Sequence, residues 1–229
     1  MANLFEFYRK SLLLIFSSFI LLIVFSNHSL YAKSLSINQF KYCKDFTYEE
    51  SLFLKPENFQ KIKFKLFINE KKFSSILIEN ILNIKSNGYI KNKQNKIKSI
   101  ILLEIADGNS CYLEARIRPH GDLGDHHDFD YRSLKDFKLP SLRVELTNTH
   151  IFGIVEFILF RPFTRNGENE VFINSLFSTL GYHAPRTSFA DVSFKNINYE
   201  MIFQEVINKE FLEYNQLVEG PILSGDERY

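Results

Sequence analysis

A loop rich in histidine and aspartate, residues 118–130, carries the side chains with the most evident chemistry. It reads RPHGDLGDHHDFD and holds three of the six histidines of the chain, with four aspartates. Histidine and carboxylate are ligands for Zn, Mn or Fe, so one interpretation is a metal-dependent hydrolase centred on Asp122, Asp125, His126 and His127. These candidates share one glycine-bearing loop, whereas structural metal sites usually draw ligands from two elements. A polar surface loop or a phosphate-facing loop is therefore the favoured interpretation.

Arginines occur at alternating positions in the two strands predicted on either side of this loop. Arg116 and Arg118 end the first strand, and Arg143 lies in the second, SLRVEL. A guanidinium group binds phosphate through two parallel donors, so phosphate recognition is one role for this set. The alternative is that the three arginines only form solvated strand faces.

Periodicity predicts the elements that must position these residues. Alternating apolar residues or short β-rich runs predict strands, and Asp107-Gly108-Asn109 predicts a hairpin between the second and third of them. The predicted strands are Lys61–Ile68, Ser99–Ala106, Cys111–Arg118, Ser141–Leu146, Val155–Phe160, Thr187–Phe194 and Tyr199–Val206. Apolar residues at helical spacing predict a helix over Phe73–Ile84, ahead of the turn signal Asn87-Gly88.

A second amphipathic helix is predicted after Phe163. Thr164 or Asn166 would cap it, Gly181 would follow its end, and Glu168 and Glu170 would complement the helix dipole in its first turn. The apolar face is formed by Val171, Phe172, Ile173, Leu176, Phe177 and Leu180. We expect this face to pack on the sheet through Phe172 and Leu176, so that loss of Phe172 destabilises the domain far more than loss of Glu168.

The first 32 residues resemble a targeting segment. Arg9 and Lys10 precede an uncharged run, Ser11–Phe25, that is short for a membrane span, and Ala32 is a candidate cleavage position. The segment predicts either a cleaved signal peptide or an uncleaved anchor. Both predict an exported chain that is secreted, periplasmic or membrane-anchored, with membrane contact only through residues 1–32.

Composition, net charge and cysteine content limit the class of protein and the kinds of partner. An apolar content of 45% permits a sizeable core, and a net charge of +1 gives no global drive toward nucleic acid, so no nucleic-acid partner is predicted. The basic run KNKQNKIK is interpreted as a solvated loop. An exported chain with two cysteines, Cys43 and Cys111, can form one disulfide, and two free buried thiols are the alternative.

From Leu113 onward the chain resembles the spore-coat CotH family of secreted, atypical protein kinases. The resemblance rests on Arg118 with the HGD loop, on SLRVEL, on FRPFTRNGENEVFINSLFSTLGYHAPRTSFADVSF, and on the hairpin ending YEMIFQEVINKEFLE. Its most specific points are Ala184-Pro185-Arg186 and Gln204-Glu205. It divides the chain into the leader 1–32, an extension 33–110 and a nucleotide-binding lobe 111–229.

The resemblance implies an α+β fold like a kinase small lobe, in which one packed helix covers an antiparallel sheet. It also implies ATP and Mg as cofactors, with Arg118, Gly121, Arg143, Glu170 and Glu205 as the binding residues. Glu170 would pair with a basic strand residue. The catalytic aspartates of such kinases come from a following lobe and cannot be placed here, so the chain is expected to be a fragment with a protein substrate or an envelope partner.

A different class remains open beside the kinase and the hydrolase. The chain could be a non-catalytic envelope scaffold or binding protein, in which the edge of the last hairpin recruits a strand from a partner.

Overall fold

Seven strands close into a barrel in the computed structural model, which describes residues 41–45, 62–90, 96–105, 109–121, 126 and 139–223. The strands are β1 (Ile62–Phe67), β2 (Ile97–Ile105), β3 (Ser110–Pro119), β4 (Leu142–Leu146), β5 (Glu156–Phe160), β6 (Thr187–Phe194) and β7 (Ile197–Glu205). The helices are α1 (Glu70–Asn87), α2 (Asn169–Thr179) and α3 (Lys209–Tyr214). Both predicted segments, 33–110 and 111–229, contribute strands to the barrel.

The strands follow the order β1-β2-β3-β4-β5-β7-β6, and β6 returns to β1. That closing pair is parallel, with Ile62 opposite Ala190 and Lys65 opposite Ser193, whereas the other neighbours are antiparallel. The predicted open α+β sheet, like a kinase small lobe, is therefore wrong. Because β6 and β7 each have a partner on both sides, the last hairpin also offers no free edge to a partner strand.

Period-two alternation explains which side chains fill the barrel. In β1, Ile62, Phe64 and Leu66 are buried, whereas Lys63 is exposed. Phe64 stacks on Phe157 and on Phe203, with ring centroids 5.4 and 5.9 Å apart. The three rings are almost completely buried, so they form the centre of the core.

Helix α1 is defined by two caps. The Asn69 side chain accepts a hydrogen bond from the amide of Lys72, and Gly88 ends the helix with a φ of 79°. Phe73 and Leu77 face the main core, and the Phe73 ring meets the edge of Phe194 at 5.8 Å. The predicted helix over Phe73–Ile84 is thus present, and it extends by about one further turn at each end.

The beginning of α2 differs from the prediction. Thr164 belongs to a preceding 3₁₀ turn, Pro162–Arg165, and Asn166 ends that turn with a φ of 53°. Glu168 occupies the cap position of α2 and makes no side-chain capping bond. The C-terminal end of α2 lies where the sequence predicts it, because Gly181 follows the helix with a φ of 83°.

The orientation of α2 is opposite to the prediction. Phe172 is 63% exposed and Leu176 is 39% exposed, so these two side chains do not pack on the sheet. The helix contacts the barrel through Val171, and through a hydrogen bond of 3.1 Å from Asn174 Nδ2 to Thr187 Oγ1.

A disulfide joins Cys43 to Cys111 at a Cα–Cα distance of 5.0 Å. It attaches the segment 41–45 to β3, beside a bridge between Tyr42 and Tyr112.

The predicted leader, residues 1–32, lies outside the described residues. Within the described part of the chain, no helix has the length and apolar character needed to span a membrane.

Candidate anion-binding site

A row of five side chains crosses five adjacent strands on the outer face of the barrel. The register places Arg118 of β3 opposite Arg143 of β4, followed by Ile158, Gln204 and Thr187 on β5, β7 and β6. The row faces outward because the preceding or following residues on these strands are buried in the barrel. Two arginines at one end of the row and a polar pair at the other therefore share one surface.

Arg143 belongs to a network of charges at the arginine end. Its Nε and Nη2 atoms donate to the two carboxylate oxygens of Glu156 at 2.8 and 3.1 Å. Lys96 forms an ion pair with Glu145 and lies 3.8 Å from Glu156. Burial alone would raise the pKa of Glu156, but the hydrogen bonds and charge of Arg143, with the charge of Lys96, lower it below its usual value.

Two further guanidinium groups nearby lack a carboxylate partner. Among the described residues, neither Arg118 nor Arg165 forms an ion pair with an acidic side chain. Arg118 Nη1 donates to the Pro119 carbonyl at 3.2 Å. Arg165 stacks over Phe160, 4.1 Å from the ring centroid, and its buried Nε has no hydrogen-bond partner. Within the described part of the chain, neither guanidinium group is neutralised by a carboxylate at ion-pair distance.

His120 lies among these cations. Burial, together with the charges of His126, Arg118, Arg143 and Arg165, lowers the pKa of its imidazole to about 3. The ring is neutral at pH 7, and its buried Nδ1 has no hydrogen-bond partner. The neighbouring positive charges, which act on His120 in addition to its burial, would favour a bound anion.

The loop that follows β3 is held by Ser141 and His126. The His120 amide donates to the Ser141 carbonyl at 2.7 Å, and Ser141 Oγ lies 3.2 Å from His126 Nδ1. Gly121 has a φ of 87°, and a Cβ atom at this position would collide with the His126 ring. Glycine is thus required here by both the backbone conformation and the close approach of the imidazole.

Glu170 lies on the same outer face as the arginines, but its hydrogen bonds go to neutral groups. Gln204 Nε2 donates to Glu170 Oε1 at 2.6 Å, and Asn174 Nδ2 donates to the same oxygen at 3.4 Å. Gln204 is on β7, two strands from Arg143, which corresponds to about 10 Å at the usual strand spacing. Among the residues that the structure describes, no basic strand residue pairs with Glu170.

Glu205 lies inside the barrel and belongs to a different group of residues. Its carboxylate oxygens accept from Arg186 Nε at 2.8 Å and Nη2 at 2.6 Å, and its side chain is buried. Arg186 Nη1 also donates to the Phe152 carbonyl at 2.6 Å, and the Tyr214 ring centroid is 3.9 Å from the guanidinium carbon. Glu205 is thus internal, whereas Arg118, Gly121 and Arg143 are brought together outside.

Sequence reasoning missed three members of the outer cluster. Lys96 lies in the basic run that is interpreted as a solvated loop, and the sequence predicts no role for Glu156 or Arg165. Their convergence depends on which strands lie side by side in the barrel, and strand periodicity alone does not predict that order. Of the proposed hydrolase ligands only His126 is described, since Asp122, Asp125 and His127 lie outside the described residues.

Comparison with known proteins adds no assignment. No protein-family model matches the chain, and no curated protein sequence matches it significantly.

Proposed function

We propose that the chain binds a phosphorylated ligand, with ATP as the first candidate, on the outer face of β3 and β4. The observation that carries this proposal is the pair of guanidinium groups, Arg118 and Arg165, that form no ion pair within 4 Å of a carboxylate in the described part of the chain. The resemblance to CotH kinases supplies the nucleotide as the expected ligand.

The chemistry of the surrounding groups supports an anion rather than a cation. Arg118, Arg165 and Arg143 surround His120, and its unpartnered Nδ1 marks a polar position that a ligand or water could satisfy. Phosphate oxygens accept charge-assisted hydrogen bonds from guanidinium groups, frequently two at a time. Arg143 already donates two hydrogen bonds to Glu156. Arg118 and Arg165 are therefore the primary phosphate ligands in this proposal.

Of the two cofactors that the resemblance implies, ATP fits the described residues of this site and Mg does not. The phosphate groups of ATP match the guanidinium groups of Arg118 and Arg165, which form no described ion pair. For Mg, the described residues contain no group of three or more His, Cys, Asp or Glu side chains placed to hold a metal. The proposal is therefore limited to binding, and Lys96 and Glu156 contribute by fixing the position of Arg143.

Calorimetric titration of the full chain with ATP, pyrophosphate and adenosine tests this proposal. Arg118→Ala should weaken ATP and pyrophosphate binding about ten-fold or more, because a charge-assisted hydrogen bond contributes roughly 1.5–3 kcal/mol. Adenosine should bind much more weakly than ATP, since it lacks the phosphates. The matched control is Lys63→Ala, which removes an exposed cation from the outer face of β1.

Two results would contradict phosphate recognition at this surface. One is equal ATP affinity in the wild type and Arg118→Ala. The other is an equal loss in Arg118→Ala and Lys63→Ala, which would indicate a general charge effect. Glu156, whose pKa the charge of Arg118 also lowers, keeps its two hydrogen bonds to Arg143 in Arg118→Ala, so the variant should remain folded.

We also propose that the chain is exported, as the leader-like segment 1–32 predicts. The Cys43–Cys111 disulfide supports this proposal, because disulfides persist mainly in oxidising compartments.

A second candidate function, an envelope protein that binds a protein partner without catalysis, is favoured by the exposed apolar face of α2. The metal-dependent hydrolase remains a hypothesis centred on residues that are largely outside the described part.

A further inference from the structure

Helix α2 carries its apolar residues on the side that faces away from the barrel. At 100° per residue, five large apolar side chains fall within an arc of about 140°. They are Phe172 (63% exposed), Ile173 (43%), Leu176 (39%), Phe177 (44%) and Leu180 (61%). Tyr182, 67% exposed, extends this surface through an edge contact with Phe177 at 5.9 Å. We call these six side chains the α2 apolar face.

The opposite side of α2 is already attached to the barrel. Val171 packs against the cluster of Ile158, Phe160 and Ile202, and Glu170 and Asn174 form hydrogen bonds to Gln204 and Thr187. A helix on the surface of a soluble protein normally turns its apolar side inward. Because these polar contacts fix α2 in the inverted orientation, rotation of the helix does not bury the apolar face.

The size of the α2 apolar face matches one side of a small interface. Six large side chains that are about half exposed leave roughly 600 Å² of apolar surface, taking about 200 Å² as the full area of each. Monomeric proteins rarely expose a larger continuous patch. Two such faces would together bury about 1,200 Å², which is the lower limit for a specific, stable interface.

We propose that the α2 apolar face is the contact between two copies of this chain, related by a two-fold axis that pairs α2 antiparallel with its own counterpart. In such an interface the same patch faces itself, and Leu176, at the middle of the stripe, lies close to the axis. This inference does not depend on the proposed binding of phosphate.

The charge pattern favours a second copy over a partner of different chemistry. Residues 169–182 contain no lysine or arginine, and their one acidic side chain, Glu170, is directed at the barrel through Gln204. A self-paired face therefore meets no like charge at its centre. A strongly acidic or basic partner would find no charged group on this face with which to pair.

Sedimentation velocity of the isolated full chain over a range of concentrations tests the dimer. Leu180→Glu should raise the dissociation constant of the dimer ten-fold or more, because the symmetry places two carboxylates in the interface. The matched control is Leu82→Glu on α1, where the leucine is also 61% exposed. That substitution should leave the dissociation constant unchanged.

Cross-linking identifies the surface directly. Leu176→Cys should form an intermolecular disulfide across the axis under mild oxidation, and Leu82→Cys should not. A chain that remains monomeric at its solubility limit would overturn the proposal and leave a different protein as the occupant of α2. A dimer that both glutamate variants weaken equally, or that Leu176→Cys does not cross-link, would also overturn it.

Discussion

Two arginines illustrate how different surroundings lead to different roles at the residue scale. Arg186 is fully satisfied, since it donates to both oxygens of Glu205 and to the Phe152 carbonyl and is covered by Tyr214. Arg118 is half-buried, feels the charge of Glu156, and forms no described ion pair with a carboxylate. The first arrangement holds structural elements together, whereas the second is the basis of the proposed anion site. Gln204-Glu205 and Ala184-Pro185-Arg186 were prominent in the sequence, but their spacing did not predict that Arg186 and Glu205 pair.

Glu205→Ala should therefore destabilise the barrel rather than weaken ligand binding. Removal of one partner from a buried ion pair typically costs about 3–5 kcal/mol, because the remaining charge stays buried and uncompensated. Urea unfolding would measure the loss. Glu213→Ala is the control, since Glu213 forms an exposed ion pair with Lys209 and its removal should not change the midpoint. An equal midpoint in Glu205→Ala and the wild type would show that Arg186 finds another acceptor.

At the scale of single elements, the inverted helix α2 reverses an expectation drawn from the sequence. Phe172→Ala should lower the free energy of unfolding only slightly, because most of its side chain is exposed. Phe157→Ala should cost about 3–5 kcal/mol, since the Phe157 ring is fully buried against Phe64 and Phe203. Thermal or urea unfolding at a concentration that keeps the chain monomeric distinguishes the two variants. Losses of the same size would place Phe172 in the core.

The strands were predictable from the sequence because period-two alternation is a local signal. β1, β3 and β6 lie within a residue or so of their predicted bounds, and the antiparallel pairing of β2 with β3 follows from the short turn between them. The end of α2 was marked by Gly181. An apolar stripe identifies the apolar side of a helix, but it does not show which surface covers that side. The sequence therefore could not predict which side of α2 faces the barrel.

Closure of the barrel is a property of the whole molecule that local patterns do not encode. It depends on parallel pairing between β1 and β6, whose partners Ile62 and Ala190 are far apart in the sequence. Closure also assembles the candidate site, since register across β3, β4 and β5 brings Arg118 and Arg143 beside Glu156. The sequence therefore predicted three members of the outer surface, Arg118, Gly121 and Arg143, without predicting the geometry that joins them.

Reduction of the Cys43–Cys111 disulfide should lower the stability of the molecule as a whole. The bridge closes a loop of 68 residues. In the chain-entropy model a loop of this length corresponds to about 4 kcal/mol of stabilisation, because the link restricts the unfolded chain. Urea unfolding with and without reductant should show a lower midpoint in the reduced protein. These are the only two cysteines in the sequence, so a Cys43→Ala, Cys111→Ala variant should not respond to reductant. A wild-type midpoint that is the same under both conditions would show that the disulfide does not contribute to stability.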